Sequence, residues 1–315
     1  MGGKLDLGTG ARQSTKSMGE RYLAQPREIG TDPGRSLSCG EVAAAKPQTR
    51  RGHVGNPTPV SLTRPRSGRA VSIRGEQVVK TQPPDESQRE RLRTEAGGEV
   101  GRKTGLFAVP RILAFDDALG QITFERLQLE NIRHLLSNGQ RGPELLEQTG
   151  RALAAIHSGM KITAGGTARA DLGTETNRQP VPLHGDFGIR NVFWLPQAGS
   201  LAIIDWSNAD WTGFTGDLGP PEIDLAVFLI SLFHRRIFGP WPLRRRHLLA
   251  RRFLAAYSEW APHGYDPATL RRVVTGMTPA FTRLTRERKG RLHALGCRHA
   301  LVDLHWFLGR LSNPG

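Results

Sequence analysis

Hydrophobic and polar positions alternate in short runs in the stretch that begins near Ala70. Alternation with a period of two is typical of strands that are buried on one face. Between two pairs of such runs, the charged residues 88–101 favour a helix, although Gly97 and Gly98 weaken its end. The predicted strands are residues 70–73, 77–80, 109–115 and 121–125. The pattern therefore predicts two strand pairs with a helix between them.

The pattern becomes helical further along the chain. Residues 143–157 place Leu145, Leu146, Leu153 and Ile156 on one apolar face, which predicts a helix. A polar loop at 159–180 and a strand pair at 191–195 and 201–205 follow. After residue 222 the pattern predicts helices, with breaks at residues 239–240, 262–264 and 276–279. Strands and helices in separate blocks, without repeats, indicate an α+β fold.

The first 66 residues lack such a pattern. They are rich in Gly, Pro, Ser, Thr and Arg, and residues 52–65 contain three prolines and no helix or strand pattern. Segments of this composition bury too little apolar surface to offset the entropy of ordering. We therefore expect residues 1–66 to form a mostly disordered basic segment.

Membrane spans and cysteine frameworks are not predicted. The longest apolar run, Leu225–Phe233, is about half the roughly 20 residues that a membrane span needs. The two cysteines, Cys39 and Cys297, are too few for a disulfide scaffold and lack the spacing of metal ligands. A cytoplasmic location is the default expectation.

The net charge of +15 raises the hypothesis of nucleic-acid binding. The charge is unevenly placed, with 11 basic and 5 acidic residues in 1–66 and 16 basic and 4 acidic residues in 225–315. The middle, residues 67–224, holds 17 basic and 20 acidic residues. Because the basic ends show no recognition-helix or aromatic-basic motif, a nucleic-acid partner is the weaker hypothesis.

The densest chemical signal lies in residues 183–192, LHGDFGIRNV, and residues 203–206, IIDW. Phosphoryl transfer needs a group that orients the acceptor hydroxyl and accepts its proton, and oxygen ligands that hold Mg²⁺ on the phosphates. Asp186 suits the first role, and Asn191 and Asp205 suit the second. These last two residues start and end a predicted strand pair, so we expect them to lie close together.

The pattern H-G-D-x-x-x-x-N followed by I-D-W resembles the aminoglycoside phosphotransferase-like family, small-molecule kinases that share the protein-kinase fold. The resemblance implies that Asp186 is the catalytic base and that Asn191 and Asp205 bind Mg²⁺. It also implies ATP or GTP as the phosphate donor and a small-molecule hydroxyl as the acceptor. His184 supports the catalytic loop in this interpretation, and Asp224, in the sequence EIDLA, braces it.

The resemblance extends upstream to a nucleotide-binding lysine. Lys80, in the sequence VVKT, matches the lysine that contacts the nucleotide phosphates. Such a lysine needs an acidic partner to orient it. Glu95, 15 residues on in the predicted helix, is our expected partner, with Glu90 and Glu99 as rivals.

The resemblance implies a two-lobed, protein-kinase-like fold. We expect a small β-rich N-lobe at 67–128 that binds nucleotide and a mainly helical C-lobe at 129–315 that holds the catalytic loop and the acceptor. The family usually has a glycine-rich strand-turn-strand over the phosphates, whereas this chain offers only Ser67-Gly68-Arg69 or Arg74-Gly75. The sequence leaves open whether this lobe is abbreviated or only divergent. It also leaves open a catalytically weak or inactive kinase-like protein that serves as a binding module or scaffold.

The composition of the C-terminal helices bears on the acceptor. A polycationic aminoglycoside favours a pocket that is lined by carboxylates. Residues 225–315 contain 16 cations and only Glu259, Asp266, Glu287 and Asp303 as acids. We therefore expect a neutral or anionic acceptor, such as a sugar, a phosphorylated metabolite or a glycolipid head group.

Overall fold

The computed structural model describes residues 60–61, 69–137, 141–162, 179–208, 210–212, 216–234 and 243–312. Residues 56–315 form one compact unit. Most of residues 1–66 lie outside the described ranges, so the expected disorder there stays a prediction. Val60–Ser61, however, form a strand, which corrects the expectation that residues 52–65 contain none.

Short strands alternate with helices in the described chain, and four helices follow the last strand. In its first half, β1 is Val60–Ser61, β2 Ala70–Arg74, β3 Gln77–Thr81, α1 Pro84–Thr104, β4 Phe107–Ala108, β5 Ile112–Asp116, β6 Gln121–Glu125, β7 Glu130–Asn131, α2 Ile132–Ser137 and α3 Gly142–Gly159. In its second half, β8 is Val181–Pro182, β9 Val192–Leu195, β10 Ser200–Ile203, β11 Leu218–Gly219, α4 Glu222–His234, α5 Leu243–Trp260, α6 Pro267–Lys289 and α7 Arg291–Ser312.

The small lobe is an antiparallel sheet against which α1 packs. Its five strands run in the order β1-β2-β3-β6-β5. β1 is the strand that sequence patterning did not reveal, and it is one of the five strands that the structure describes in this sheet. This architecture confirms the predicted α+β, two-lobed fold with a small β-rich lobe.

The large lobe is built around α4, whose residues 222–230 are all buried. The helices α3, α5, α6 and α7 and the β9–β10 hairpin contribute to the same core. β10 also pairs in parallel with β4, and β9 pairs with β7, which gives a second sheet in the order β4-β10-β9-β7. Among the described helices, none has the length and apolarity required to cross a membrane.

One predicted helix break is absent and another is present. α6 continues through Pro279 to Lys289, so the break expected at 276–279 is wrong. A proline removes one helical hydrogen bond, but Val273, Val274 and Met277 on the same helix are buried in the core and hold it in place. The break at 262–264 is confirmed between α5 and α6. The break expected at 239–240 lies outside the described residues.

The helix α1 does not weaken at its two glycines. It continues to Thr104 and ends at Gly105, which adopts a left-handed conformation with φ 68°. Gly97 lets α1 approach the large lobe closely, because a Cβ there would lie 2.3 Å from the ring of Trp206. The neighbouring Gly98 has more room, with its nearest contact at 3.5 Å. Gly97 therefore permits the close packing of α1 against Trp206.

These two glycines form a matched pair for a stability test. We expect Gly97→Ala to destabilise the protein by about 1–3 kcal/mol, because the methyl group overlaps the Trp206 ring. Gly98→Ala should instead stabilise it by about 0.5–1 kcal/mol, since alanine loses less entropy in a helix. Urea unfolding of both variants measures the difference, and equal stabilities would contradict the close approach.

Candidate active site

The catalytic-loop motif lies between β8 and β9. Gly185 adopts φ +82°, a conformation that favours glycine, and a Cβ there would lie 2.1 Å from Asn208 Oδ1. The backbone N–H groups of His184 and Gly185 donate to the two carboxylate oxygens of Asp224, over 2.7 and 2.9 Å. Asp224 on α4 therefore fixes the backbone immediately before Asp186.

The Asp186 carboxylate is buried at the end of this turn and holds two donors. Asn191 Nδ2 donates to the backbone oxygen of Asp186 over 2.8 Å and to its Oδ2 over 3.0 Å. The Arg190 guanidinium forms an ion pair with the same Oδ2. Burial raises the pKa of Asp186 to about 6, although the charge of Arg190 opposes the shift. In the described part of the chain Oδ1 receives neither donor, so it can accept a third.

The predicted ligand pair, Asn191 and Asp205, lies where the β9–β10 hairpin closes. The N–H of Ile204 donates to the backbone oxygen of Asn191 over 3.0 Å, so the two ends of the hairpin are adjacent. Asp205 adopts φ 61°, an uncommon conformation for a residue other than glycine. Ser207 donates to Asp205 Oδ1 over 2.7 Å. The structure thus brings both residues to the site of Asp186.

The lysine of the small lobe reaches the same site. Lys80 Nζ on β3 lies 2.7 Å from Asp205 Oδ1 and 2.7 Å from Glu90 Oε2. Burial alone would lower the pKa of Lys80, but the charges of Asp205 and Glu90 outweigh burial and raise it. Gln82 Nε2 donates to Glu90 over 2.7 Å and holds the carboxylate in place.

The expected pairing of Lys80 with Glu95 is wrong. Glu95 is half exposed and lies 3.3 Å from Arg91 on its own helix. Glu90, one of the two rivals, is buried and is the partner of Lys80 on α1. The other rival, Glu99, pairs with Lys103 at the surface. Glu90 and Glu95 are five positions apart, which places their side chains on different faces of the helix.

Two arginines of the site were not among the predicted residues. Arg93 is buried on α1, where Nη1 donates to Asn208 Oδ1 over 2.5 Å and Nη2 donates to the backbone oxygen of Leu183. It therefore ties α1 to the start of the catalytic loop. Arg190 lies within the loop, four residues after Asp186. The position of Arg190 inside the motif is the sequence signal that could have identified it. Arg93 gives no such signal, because it is one of several arginines on a charged helix.

His184 and Asp224, the two residues predicted to support the catalytic loop, both contact its backbone. The N–H of Asp186 donates to His184 Nδ1 over 3.3 Å, and the His184 ring packs against Phe187 and Trp206. Burial lowers the pKa of His184 to about 4, so its ring is neutral at pH 7. Asp224 lies 3.1 Å from His157 Nε2. Burial alone would raise the pKa of Asp224, but its contacts with His157 and His184 lower it.

The oxygen atoms of the site fit a magnesium ion that is held partly by phosphates. Asn191 uses its amide nitrogen on Asp186, which leaves its oxygen for a metal, and the Asp205 carboxylate could supply a second oxygen. Among the described residues no three His, Cys, Asp or Glu side chains cluster as a metal site. Mg²⁺ in kinase sites needs only one or two protein ligands beside phosphates and water.

Part of the chain, including the catalytic-loop motif, is similar to a known protein family. Residues 167–268 match the model of the phosphotransferase enzyme family. A search of curated protein sequences found no match.

Solved structures show the same fold at low sequence identity. An aminoglycoside phosphotransferase from Streptomyces rimosus is 16% identical with a TM-score of 0.50, and the match covers 72% of this chain and 93% of that one. A glucosamine kinase with glucosamine, ADP and inorganic phosphate is 16% identical with a TM-score of 0.54, covering 75% and 74%. An amicoumacin kinase is 14% identical with a TM-score of 0.53, covering 82% and 89%. The family match and the shared fold together confirm the resemblance to the aminoglycoside phosphotransferase-like family.

Proposed function

We propose that this protein transfers the γ-phosphate of ATP or GTP to a hydroxyl group of a small molecule. The observation that carries the proposal is the convergence of Asp186, Asn191, Asp205 and Lys80 at one site between the lobes. The phosphotransferase family match over the catalytic loop supports the same reaction. Residues 67–128 would bind the nucleotide, and residues 129–315 would hold the loop and the acceptor.

Asp186 is the proposed catalytic base. Arg190 and Asn191 hold its Oδ2 and fix the orientation of the carboxylate, so Oδ1 is the atom that accepts the acceptor's proton. As the acceptor oxygen bonds to the γ-phosphorus, its O–H bond breaks towards Asp186. The bond from phosphorus to the leaving nucleoside diphosphate breaks in the same displacement.

The nucleotide side of the site is assigned to Lys80, Asn191 and Asp205. Lys80 would bind the α- and β-phosphates, held in position by Glu90. Asn191 and Asp205 would supply oxygen ligands to Mg²⁺, which offsets negative charge on the phosphates when bound. The solved glucosamine kinase that shares the fold contains ADP, which supports a nucleotide at this place.

For the acceptor we propose a neutral or anionic small molecule rather than an aminoglycoside. The 16 cations and 4 acids of residues 225–315 support this choice, since a polycation would be repelled. The names of the structural neighbours point to different acceptors, including glucosamine and amicoumacin. The acceptor therefore has to be argued from this chain's own residues.

The deciding experiment is a phosphate-transfer screen with γ-labelled ATP against a panel of hydroxylated metabolites, with Asp186→Asn in parallel. A labelled product that forms with the native protein but not with Asp186→Asn supports the proposed function. The second candidate, an inactive kinase-like scaffold, is favoured by the missing glycine-rich pattern near residues 67–75. It predicts no labelled product and no thermal shift with Mg²⁺ and ATP.

The pKa of Asp186 gives a pH prediction. An ionised carboxylate is needed to accept the proton, so kcat/KM for the acceptor should fall as the pH drops through about 6. In Arg190→Gln the acidic limb should move to higher pH, because the cation that stabilises the carboxylate is removed. Profiles of kcat/KM between about pH 5 and pH 8 measure both effects. An unmoved limb in the variant would contradict the role of Arg190.

A further inference from the structure

The helix α7 is apolar on two opposite faces. The buried face belongs to the core of the large lobe and carries Cys297, Leu301, Leu304, Phe307 and Leu308. The outer face carries four large apolar side chains that are 83%, 59%, 65% and 51% exposed, namely Leu292, Leu295, Val302 and Trp306. A surface helix usually has one apolar face and one polar face. The second apolar face of α7 therefore points to a partner outside the core.

The four exposed side chains form a continuous stripe. Leu295, Val302 and Trp306 follow Leu292 by three, ten and fourteen positions. At 3.6 residues per turn, these positions lie within one sector of roughly 80° around the helix. Single exposed apolar side chains are common on protein surfaces, whereas an aligned group with a polar rim is typical of an interaction site. We call these four residues the α7 stripe.

Exposed arginines lie along the edges of the α7 stripe. Arg291 and Arg298 are within about 40° of one edge, by the helical repeat. Arg310 lies at the other edge, with its guanidinium carbon 4.3 Å from the centre of the Trp306 ring. The only acid in residues 291–312 is Asp303, which is partly buried and bonds to a histidine of α5 over 2.9 Å. The outer face of α7 is therefore both apolar and cationic.

This charge pattern favours an anionic lipid surface over a second copy of the chain. In a symmetric dimer through α7, both helices would present the same exposed arginines, and neither would offer an exposed carboxylate to receive them. Helices that lie in the membrane interface carry leucine and tryptophan on one face and cations beside it. An arginine stacked on a tryptophan places a cation and an amphipathic ring at the same depth, which suits the head-group region.

We propose that the α7 stripe docks on an anionic lipid surface. Its four apolar side chains enter the head-group region, while Arg291, Arg298 and Arg310 bind lipid phosphates at its edges. The opposite face of α7 stays in the core, so the helix lies along the surface and the large lobe rests on it. This docking site is separate from the proposed phosphotransferase reaction and does not depend on it.

Sedimentation of the full chain with lipid vesicles tests the proposal. We expect the protein to sediment with mixed vesicles of phosphatidylcholine and phosphatidylglycerol, and to remain in solution with phosphatidylcholine alone. Binding to the mixed vesicles should weaken as salt is added, because salt screens the attraction between the arginines and the lipid phosphates. Equal binding to both kinds of vesicle, or binding to neither, would overturn the proposal.

Substitution of the arginines separates docking through α7 from a general attraction of a basic protein. In Arg291→Gln/Arg298→Gln we expect affinity for the mixed vesicles to fall by roughly 10- to 30-fold, as the loss of two cations near an anionic membrane predicts. The matched control is Arg74→Gln/Arg102→Gln, which removes two exposed arginines from the small lobe. Its affinity should stay within about twofold of the native value, because distant charges are screened. An equal loss in the control would contradict docking through α7.

Substitution of the apolar residues tests the stripe itself. In Leu295→Ser/Val302→Ser we expect the affinity to fall at least about tenfold, because less apolar surface leaves water on docking. Leu119→Ser is the control, since it changes an apolar side chain that is 63% exposed in the small lobe. Thermal unfolding checks that each variant is folded, which the exposure of these positions favours. Unchanged affinity in the folded double variant would overturn the role of the stripe.

Two further measurements distinguish the other possible occupants. Brominated phosphatidylcholine in the mixed vesicles should quench the fluorescence of Trp306, and Trp306→Phe should remove the quenched signal. Equal quenching in both proteins would show that another tryptophan meets the lipid, which contradicts the proposed orientation. Analytical ultracentrifugation without vesicles tests for a second copy. A dimer that Leu295→Ser/Val302→Ser converts to monomers would show that a second copy covers the stripe, and the lipid proposal would be wrong.

Discussion

Asp186→Asn is expected to lower turnover by roughly 10²–10⁴-fold, the range for loss of a general base. The amide keeps the shape of the side chain and can still accept from Asn191, whose nitrogen lies 3.0 Å from Oδ2 in the native protein. It cannot take a proton at neutral pH. Lys80, Asn191 and Asp205 remain, so nucleotide binding should be unchanged. Turnover with the acceptor found in the screen and the thermal shift with Mg²⁺ and ATP measure the two properties separately.

The matched control for this variant is Asp117→Asn, which makes the same chemical change at an exposed carboxylate after β5. It should keep full turnover. Full turnover in Asp186→Asn would show that another group accepts the proton, and the assignment of the base would be wrong. A lost thermal shift would show instead that the nucleotide site depends on Asp186, which contradicts the separation of roles argued above.

The catalytic loop could be predicted because its residues are close in sequence. Asp186 and Asn191 belong to one tight turn, and Asp205 follows across a single hairpin, so their spacing nearly determines their proximity. Asp224 was recognisable from its own short motif, and it does hold the loop backbone. For these residues, the local structure and the proposed roles are encoded in the same few positions.

The small-lobe contacts could not be predicted in the same way because they depend on the rotation of α1. The inward face of this helix carries Ser87, Glu90, Arg93 and Gly97, all buried. Polar residues and glycine give no hydrophobic period, so the sequence cannot show which face points inward. Glu95 lies about 140° around the helix from Glu90, by the helical repeat. Only the packing of α1 against Trp206 and the sheet reveals the orientation.

Glu90→Gln is expected to lower kcat/KM for the nucleotide by roughly 10- to 100-fold, the range for loss of a hydrogen bond to a charged group. The substitution keeps the size of a buried side chain but removes one of the two carboxylates that hold Lys80. Lys80 would then be held mainly by Asp205, the residue that we also propose as a ligand of Mg²⁺. The substitution should therefore weaken the contact of Lys80 with the phosphates. Lys80 should also compete with Mg²⁺ for the Asp205 carboxylate.

Glu95→Gln is the matched control, since it makes the same change five residues later on the same helix. Among the described residues Glu95 pairs only with Arg91, at a half-exposed position, and surface pairs of this kind contribute about 0.3–0.5 kcal/mol. We expect its kcat/KM to stay within about twofold of the native value, as that energy implies. Steady-state kinetics with varied nucleotide and a fixed acceptor compare the two variants. A large loss in Glu95→Gln with none in Glu90→Gln would mean that α1 turns its other face to Lys80 during the reaction. A large loss in Glu90→Gln alone would tie catalysis to the helix orientation that Gly97 permits.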